Sequence, residues 1–412
     1  MTNAIDIAVA SDDWSRLSEI REMPDIDFKR LRNYRLERIR EQMRKRDIDL
    51  AILINPLSLR YAVDFRDFGL FQSRIPIFYL YLPVEGPVIM HNGIPDMDGS
   101  ELLIDEFRPA HDINIFNAGP ELTNRCRLFA DDAADFLASL GAKRARVAIE
   151  QVTPAVVQAM MQKGMEVLDA ISLVEEARYV KSTDELSCMR WSIAVAEHAM
   201  AKMRDVLAPG MTENQLWGLL NYANLANNGD WHDTRMLASG ERTNPWLQEA
   251  TDKVIEAGEL VAFDTDMIGP FGYMADVSRT YYCEPGIPTG AQRDLYRRAH
   301  DEIQHNIDIL RAGMTLKEFA EKAFRQPPGH RRYSCVSHAV GMSDEYPKVP
   351  FIDQWEVKGT DCRLEPGMVM CIESYIGKDS GGEGVKLEEQ VLLLEDGNEV
   401  MTSFPYEDKL LN

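Results

Sequence analysis

The sequence predicts an α+β protein in which a smaller α/β domain, residues 1–175, precedes a larger C-terminal domain, residues 176–412. In the first part, short apolar runs alternate with helical patterns, which is typical of α/β architecture. In the second part, two similar phrases each open a helix, and a strand-rich segment follows each of them. A chain of 412 residues is long enough for two domains with sizeable cores.

The smaller domain is predicted from its apolar spacing. Residues 31–48 have the pattern of an amphipathic helix rich in Arg and Glu. Residues 49–54 have the pattern of a buried strand, which Asn55-Pro56 ends because proline restricts the backbone conformation of the residue before it. Further strands are predicted at 78–82, 87–90 and 146–150, and a further helix at 130–140.

The larger domain begins with a predicted long helix that starts at Ser182–Leu186 and runs to Leu207. The phrases at 209–216 and 312–319 each combine a Gly turn with a Thr-x-x-Gln/Glu capping box. They are either two ordinary helix starts or the mark of an internal duplication, with a ligand cleft between the two halves. Strand-rich segments in corresponding places favour the duplication, and they are 259–283 and 368–394.

Composition excludes several classes of partner. The formal net charge of −22 disfavours nucleic acids and anionic membranes. The first twenty residues carry five charged side chains, so they lack the apolar core of a signal peptide. The longest apolar run, 75–84, is too short to span a bilayer and contains two prolines. The six cysteines show no CxxC spacing, so we expect reduced thiols in a cytoplasmic protein.

Three carboxylates lie within thirteen residues of the second half. Asp264 and Asp266 fall in what reads as a strand, where side-chain alternation would put both on one face. A Gly-Pro turn and a second strand would then bring Asp276 beside them. Crowded acids repel one another unless a cation lies between them, and a divalent metal is the usual solution.

Three more candidate ligands occur downstream. His338 lies in a Ser-His-Ala-Val-Gly segment, and Glu373 and Glu388 lie in buried-strand patterns. A buried carboxylate needs a partner, because an unpaired one is costly. Taken singly, each residue has a plainer interpretation, as a salt-bridged or surface group. The ordered set of five carboxylates and one imidazole instead suits one or two dications such as Fe, Mn or Zn.

With these motifs the chain resembles the pita-bread metallopeptidase-like proteins, which include prolidase, aminopeptidase P, methionine aminopeptidase and creatinase. The resemblance covers most of the sequence, including Asn55-Pro56 and the joining segment 178–182. It implies a pita-bread catalytic domain behind a smaller creatinase-like α/β domain, and a homodimer. It also implies a set of metal ligands, with Asp264 as an added acid: Asp266, Asp276, His338, Glu373 and Glu388.

The chain departs from the peptidases of this family at two histidine positions. None of the eight residues after the phrase Ala238-Ser239-Gly240 is a histidine, and Met342 stands four residues after His338, where prolidase-like members carry a second histidine. Groups that handle protons in peptide cleavage are therefore missing. Asp344 and Tyr333 are present instead, and with them the chain resembles one iron-dependent branch of the family, which cleaves dimethylsulfoniopropionate to dimethyl sulfide and acrylate. This resemblance implies Fe as the metal, with Mn and Zn as alternatives.

The resemblance to that branch implies a β-elimination. A metal bound to the substrate carboxylate acidifies the α-carbon, and Asp344 removes the α-proton. We expect desolvation near the metal to raise the pKa of Asp344 towards its working range. Tyr333 joins Asp344 as a catalytic candidate, and Tyr333 and Trp246 are candidate walls for an onium carboxylate substrate, because aromatic faces attract onium cations.

Each of these residues also has a structural interpretation. Asp344 is otherwise a turn residue before Tyr-Pro, and Tyr333 and Trp246 are otherwise core side chains. Two further functions stay open. One is a metallohydrolase that cleaves a C–N bond, as an Xaa-Pro peptidase or a creatinase-like enzyme. The other is a binding module without catalysis, which the filled ligand positions disfavour.

Overall fold

The computed structural model describes residues 21–92, 100–142 and 144–412. The chain divides into two compact units between Arg178 and Tyr179, whereas the sequence suggested a boundary after residue 175. The first twenty residues, to which the expectation about a signal peptide refers, lie outside the described residues. Within the described ranges, none of the helices combines the length and apolarity needed to cross a bilayer.

The N-terminal unit, Asp27–Arg178, is an α/β layer structure built on six strands. In chain order the elements are α1 (Phe28–Lys45), β1 (Leu50–Leu53), α2 (Pro56–Val63), α3 (Gly69–Gln72), β2 (Tyr79–Pro83), β3 (Ile89–Asn92), β4 (Glu106–Pro109), α4 (Ile115–Ala118), α5 (Leu122–Ser139), β5 (Arg146–Ile149), α6 (Pro154–Gln162), β6 (Glu166–Asp169) and α7 (Ile171–Arg178). The order of the strands in the sheet is β4-β3-β2-β1-β5-β6, with β1 antiparallel to β2 and parallel to β5.

Local sequence explains why these elements form. Asp27 caps α1 by accepting a hydrogen bond from Arg30 N at 2.9 Å, and basic residues occupy its last turn. Strand β1 is buried on both faces, as its unbroken apolar run predicts. Helix α5 covers the sheet with Phe129, whose ring meets Tyr79 of β2 edge to face at 5.1 Å.

The C-terminal unit contains Tyr179–Asn412 and holds the candidate site. In chain order the elements are α8 (Thr183–Val206), α9 (Glu213–Ala226), β7 (Trp231–His232), β8 (Leu237–Ser239), β9 (Leu260–Asp264), β10 (Met267–Ile268), β11 (Met274–Ala275), β12 (Ser278–Tyr282), α10 (Gly290–Ile309), α11 (Leu316–Lys322), β13 (His330–Arg332), β14 (Ser337–Val340), β15 (Asp344–Val349), α12 (Trp355–Lys358), β16 (Val369–Lys378), β17 (Gly384–Leu393), β18 (Asn398–Val400) and α13 (Asp408–Leu411). The strands form three sheets, in the orders β11-β10-β7, β12-β9-β8 and β15-β14-β16-β17-β18, with β13 paired to β16.

The helix starts predicted for this unit are confirmed. In each capping box a hydroxyl accepts a hydrogen bond from the backbone N–H three residues later, and the side chain at that later position accepts one from the N-cap N–H. This pairing satisfies two backbone donors that would otherwise have no partner in the first turn. At the three predicted helix starts, the boxes are Ser182 with Glu185, Thr212 with Gln215, and Thr315 with Glu318.

Two antiparallel ladders position the site. Strand β9 pairs with β12, and β16 pairs with β17. The Thr280 hydroxyl of β12 donates to the Lys386 carbonyl of β17 at 2.8 Å and accepts from the Lys386 N–H at 3.0 Å. One side chain thereby joins the two sheets along their neighbouring strands, so residues of β9 and β17 that are far apart in sequence share one interior.

The buried carboxyl of Glu302 on α10 gives a pH-dependent prediction. Burial raises its pKa to about 7 from 4.5, although Ser374 and Gln326 both donate hydrogen bonds to it. The unfolded chain therefore releases this proton at lower pH than the folded chain, so raising the pH from 4.5 through 7 costs roughly 3 kcal/mol. Glu302→Gln should flatten that loss, measured as the free energy of unfolding in urea at pH 5 and pH 8. The exposed Glu321→Gln is the control, and an unchanged pH slope in Glu302→Gln would refute the assignment.

Candidate metal centre

The first three predicted ligands come from the β9–β12 region. Asp264 is the last residue of β9, and Asp276 lies between β11 and β12. Asp266 does not lie in the same strand as Asp264, so the predicted alternation is wrong. The chain instead leaves β9 and turns at Asp266, where φ is 35°. The turn still brings a carboxylate oxygen of each of the three acids within 4.8 Å of the others.

The other three predicted ligands come from the large sheet. His338 lies on β14, and Glu373 and Glu388 are direct partners across the β16–β17 ladder. The His338 Nε2 atom is 3.0 Å from Glu373 Oε1, 3.7 Å from Asp276 Oδ2 and 3.8 Å from Glu388 Oε1. All six predicted ligands are buried, and the structure gathers them into one cluster.

Sequence reasoning missed a cation inside this cluster. Lys386 is fully buried, and its ammonium lies 3.1 Å from Asp264 Oδ2 and 2.9 Å from Glu388 Oε2, in contact also with Glu373. A signal was available, because Lys386 precedes Glu388 by two residues and therefore shares its face of β17. Cys371 on β16, two residues before Glu373, was missed in the same way.

The electrostatics show that one lysine does not balance five acids. Burial and the neighbouring carboxylates raise the pKa of Asp266, Asp276 and Glu388 well above their usual values. Burial acts the same way on Glu373, but Lys386 and His338 outweigh it and lower the pKa of Glu373 to about 2. Without a further cation, the cluster reduces its negative charge by holding protons.

The residues fit a divalent cation. Asp264 Oδ1, Asp276 Oδ1 and Glu388 Oε1 are buried without a hydrogen-bond partner among the described residues. Orphaned buried acceptors are rare and costly, and a metal ion would satisfy them. Carboxylate oxygens with one imidazole suit borderline first-row dications. Five carboxylates less one ammonium leave four excess negative charges, which two dications would neutralise and one would halve.

Asp344 lies at the edge of the cluster, as the first residue of β15. Its Oδ1 is 3.6 Å from His338 Nδ1, but 67% of its side chain is exposed. The expectation that Asp344 is desolvated is therefore wrong for the protein without substrate. The next residue, Glu345, is buried, accepts from Lys181 Nζ at 2.7 Å and accepts from Met342 N at 3.1 Å. This buried ion pair fixes the turn that presents Asp344.

Tyr333 and Trp246, the two candidate pocket walls, lie together. With Tyr375 they border a cavity of about 340 Å³, and the Trp246 and Tyr375 rings stack at 6.1 Å. Trp246 also packs in a small apolar cluster, so it serves the core as well. The Lys386 ammonium lies 4.7 Å from the centre of the Tyr333 ring, which connects this cavity to the carboxylate cluster.

Comparison with known proteins agrees with this fold. A profile of metallopeptidase family M24 matches residues 187–395, and one of the creatinase/prolidase N-terminal domain matches residues 35–180. The chain belongs to metallopeptidase family M24. The predicted fold class, a pita-bread catalytic domain with a smaller α/β N-terminal domain, is confirmed. A divalent metal is the cofactor of this family, in keeping with the cluster.

Three individual proteins are similar to the chain along most of its length. The dimethylsulfoniopropionate lyase DddP of Roseovarius nubinhibens is 31% identical over 394 residues, covering 93% of this chain and 88% of the relative. DddP of Roseobacter denitrificans is 30% identical with the same coverage. Among solved structures, an Xaa-Pro dipeptidase from Bacillus anthracis aligns with a TM-score of 0.72 at 21% identity, covering 91% of this chain and 99% of that one.

Removal of a predicted ligand should weaken metal binding. We expect His338→Ala and Glu388→Ala to bind a dication at least about tenfold more weakly than the unchanged protein, because each loses a donor to the ion. Metal content after stripping and reloading, measured by plasma mass spectrometry, is the test. The exposed His305→Ala and Glu395→Ala are matched controls, and full stoichiometry in the ligand variants would break the assignment.

Removal of the buried ammonium should destabilise the metal-free protein. Lys386→Met leaves Asp264, Glu373 and Glu388 without their cation, which typically costs about 3–5 kcal/mol. Urea unfolding in the presence of EDTA measures the loss, and Lys386→Arg, which keeps the charge, should retain most of the stability. A loss below about 1 kcal/mol would show that the carboxylates are balanced in another way.

Proposed function

We propose that this protein is a metal-dependent lyase that cleaves dimethylsulfoniopropionate by β-elimination to dimethyl sulfide and acrylate, with iron as its metal. One observation carries the proposal: an exposed carboxylate, Asp344, lies 3.6 Å from the imidazole of the metal cluster. The position of the second peptidase histidine is filled by Met342, which is buried and cannot exchange protons. The cluster thus adjoins a base with access to substrate, in a site lacking the second histidine.

The chain's own groups divide the work of elimination. A dication held by the carboxylates and His338 would bind the substrate carboxylate and acidify the α-carbon. Asp344 accepts the α-proton, the electron pair of that C–H bond forms the new double bond, and the bond from the β-carbon to sulfur breaks. Dimethyl sulfide leaves with the electron pair of the broken bond, and the Asp344 proton passes to solvent. Substrate in the pocket would supply the desolvation that Asp344 lacks in its absence.

The aromatic side of the cavity suits the onium end of such a substrate. The two arginines that also line the cavity, Arg331 and Arg332, donate hydrogen bonds to Asn244 and Asp353. Lys386 already lies over one face of the Tyr333 ring, so a sulfonium would use the ring surface that borders the cavity. Trp246 and Tyr375 add further aromatic surface there. A substrate with a carboxylate at one end and an onium at the other could then span the metal cluster and the cavity.

The relatives support the lyase over the hydrolase. Two proteins named as dimethylsulfoniopropionate lyases align with 93% of the chain at 30–31% identity. The Xaa-Pro dipeptidases of similar structure share the fold at about 20% identity, which carries no argument about substrate. We further propose that the protein acts as a homodimer on this small molecule.

The proposal is tested by giving the purified, iron-loaded protein dimethylsulfoniopropionate and measuring dimethyl sulfide in the headspace and acrylate in solution. We expect both products in equal amounts, and no release after metal is stripped. Absence of both products from protein with confirmed metal would overturn the lyase. Turnover of Xaa-Pro peptides or small amides by the same sample would then assign it as a C–N hydrolase.

Asp344→Asn should abolish elimination without disturbing the site. The amide keeps the shape of the side chain but is not a base, so we expect kcat to fall by about 10²–10⁴-fold. Metal content and unfolding temperature should be unchanged. Asp379→Asn, an exposed change on the β16–β17 turn, is the matched control. Elimination at the unchanged rate in Asp344→Asn would remove Asp344 as the base.

A further inference from the structure

A thiol lies among the metal ligands. Cys371 on β16 is fully buried and precedes Glu373 by two residues, so both side chains are on the same face of the strand. Across the ladder, Cys371 is the direct partner of His338 on β14. The positions of Glu373 and His338 therefore both indicate that the Cys371 sulfur lies on the side of the strand that faces the cluster.

The distances match a coordination sphere. The Cys371 thiol donates a hydrogen bond to Asp276 Oδ2, with 3.5 Å between Sγ and Oδ2. One donor atom from each of Asp276, His338, Cys371 and Glu388 lies within 4.8 Å of every other. Metal–ligand bonds of about 2.0–2.3 Å place two donors at most about 4.6 Å apart, so these four need only small shifts to share one ion.

Unpaired carboxylate oxygens are a second observation that indicates a bound cation. Asp276 Oδ1 and Glu388 Oε1 are buried acceptors without a hydrogen-bond partner in the described part of the chain. Glu373, in contrast, is engaged on both oxygens, with His338 Nε2 at 3.0 Å from one and Lys386 in contact with the other. By comparison, the Cys371 thiol donates one hydrogen bond, to Asp276 Oδ2.

We propose that Cys371 is a direct metal ligand, completing a set with Asp276, His338 and Glu388, and that it selects thiophilic dications such as Fe²⁺, Co²⁺ and Zn²⁺ over Mn²⁺ and Mg²⁺. Binding forms a metal–sulfur bond and releases the thiol proton to solvent. The inference rests on the metal-binding part of the proposed function and is independent of the substrate.

Cobalt distinguishes a sulfur ligand from oxygen and nitrogen ligands. Co²⁺ bound to a thiolate has a sulfur-to-metal charge-transfer band in the near ultraviolet, and its visible bands report the bound ion whatever the ligands are. We expect both features in the unchanged protein. Cys371→Ser should lose the near-ultraviolet band and keep the visible ones. Cys335→Ser, which changes another buried thiol outside the clustered donors, should keep both.

Affinity gives a second measurement if the serine variant binds cobalt poorly. The ratio of Zn²⁺ to Mn²⁺ affinity should fall at least about tenfold in both Cys371→Ser and Cys371→Thr, because oxygen replaces the soft donor. Visible bands without the near-ultraviolet band in the unchanged protein would overturn the cysteine ligand and leave the metal site and the lyase standing. Loss of that band in Cys335→Ser but not in Cys371→Ser would also overturn it. No cobalt spectrum at all would overturn the metal site.

Discussion

The mutual repulsion of five buried carboxylates is the constraint on which the C-terminal unit depends. Asp264, Asp266, Asp276, Glu373 and Glu388 occupy one interior, where the attraction or repulsion between charges is much stronger than in water. Lys386 offsets part of this charge, and raised carboxyl pKa values offset more by retaining protons. Burying these acids together is unfavourable unless something offsets their repulsion. The unpaired carboxylate oxygens support a bound dication as the group that does so.

The same interior explains how residues that are far apart in sequence form one site. Strand β9 brings Asp264, and β17 brings Lys386 and Glu388, while the Thr280 hydroxyl ties their sheets together. At the rim, the buried pair of Lys181 and Glu345 holds the turn that precedes β15. The reactive edge is thereby built on rigid strands, and the base is left accessible to a substrate.

Much of this could be predicted from sequence, but not all of it. The six candidate ligands are predicted from ordered acids and one histidine in apolar strand patterns, and Lys386 and Cys371 could have been found by the same two-residue alternation. Asp266 could not be placed that way, because its position depends on a backbone turn with φ of 35°. The Lys181–Glu345 pair joins residues 164 apart, and the exposure of Asp344 depends on how its hairpin packs, so no local pattern reports either.

Thermal unfolding with and without metal tests the central claim most directly. A cation that satisfies the buried carboxylates binds the folded chain and not the unfolded one, so it must raise the unfolding temperature. The account predicts that calorimetry on EDTA-stripped protein gives a lower unfolding temperature than the same protein reloaded with Fe²⁺ or Zn²⁺, with the increase growing with metal concentration. Identical unfolding in the stripped and reloaded samples would contradict a metal site at this cluster.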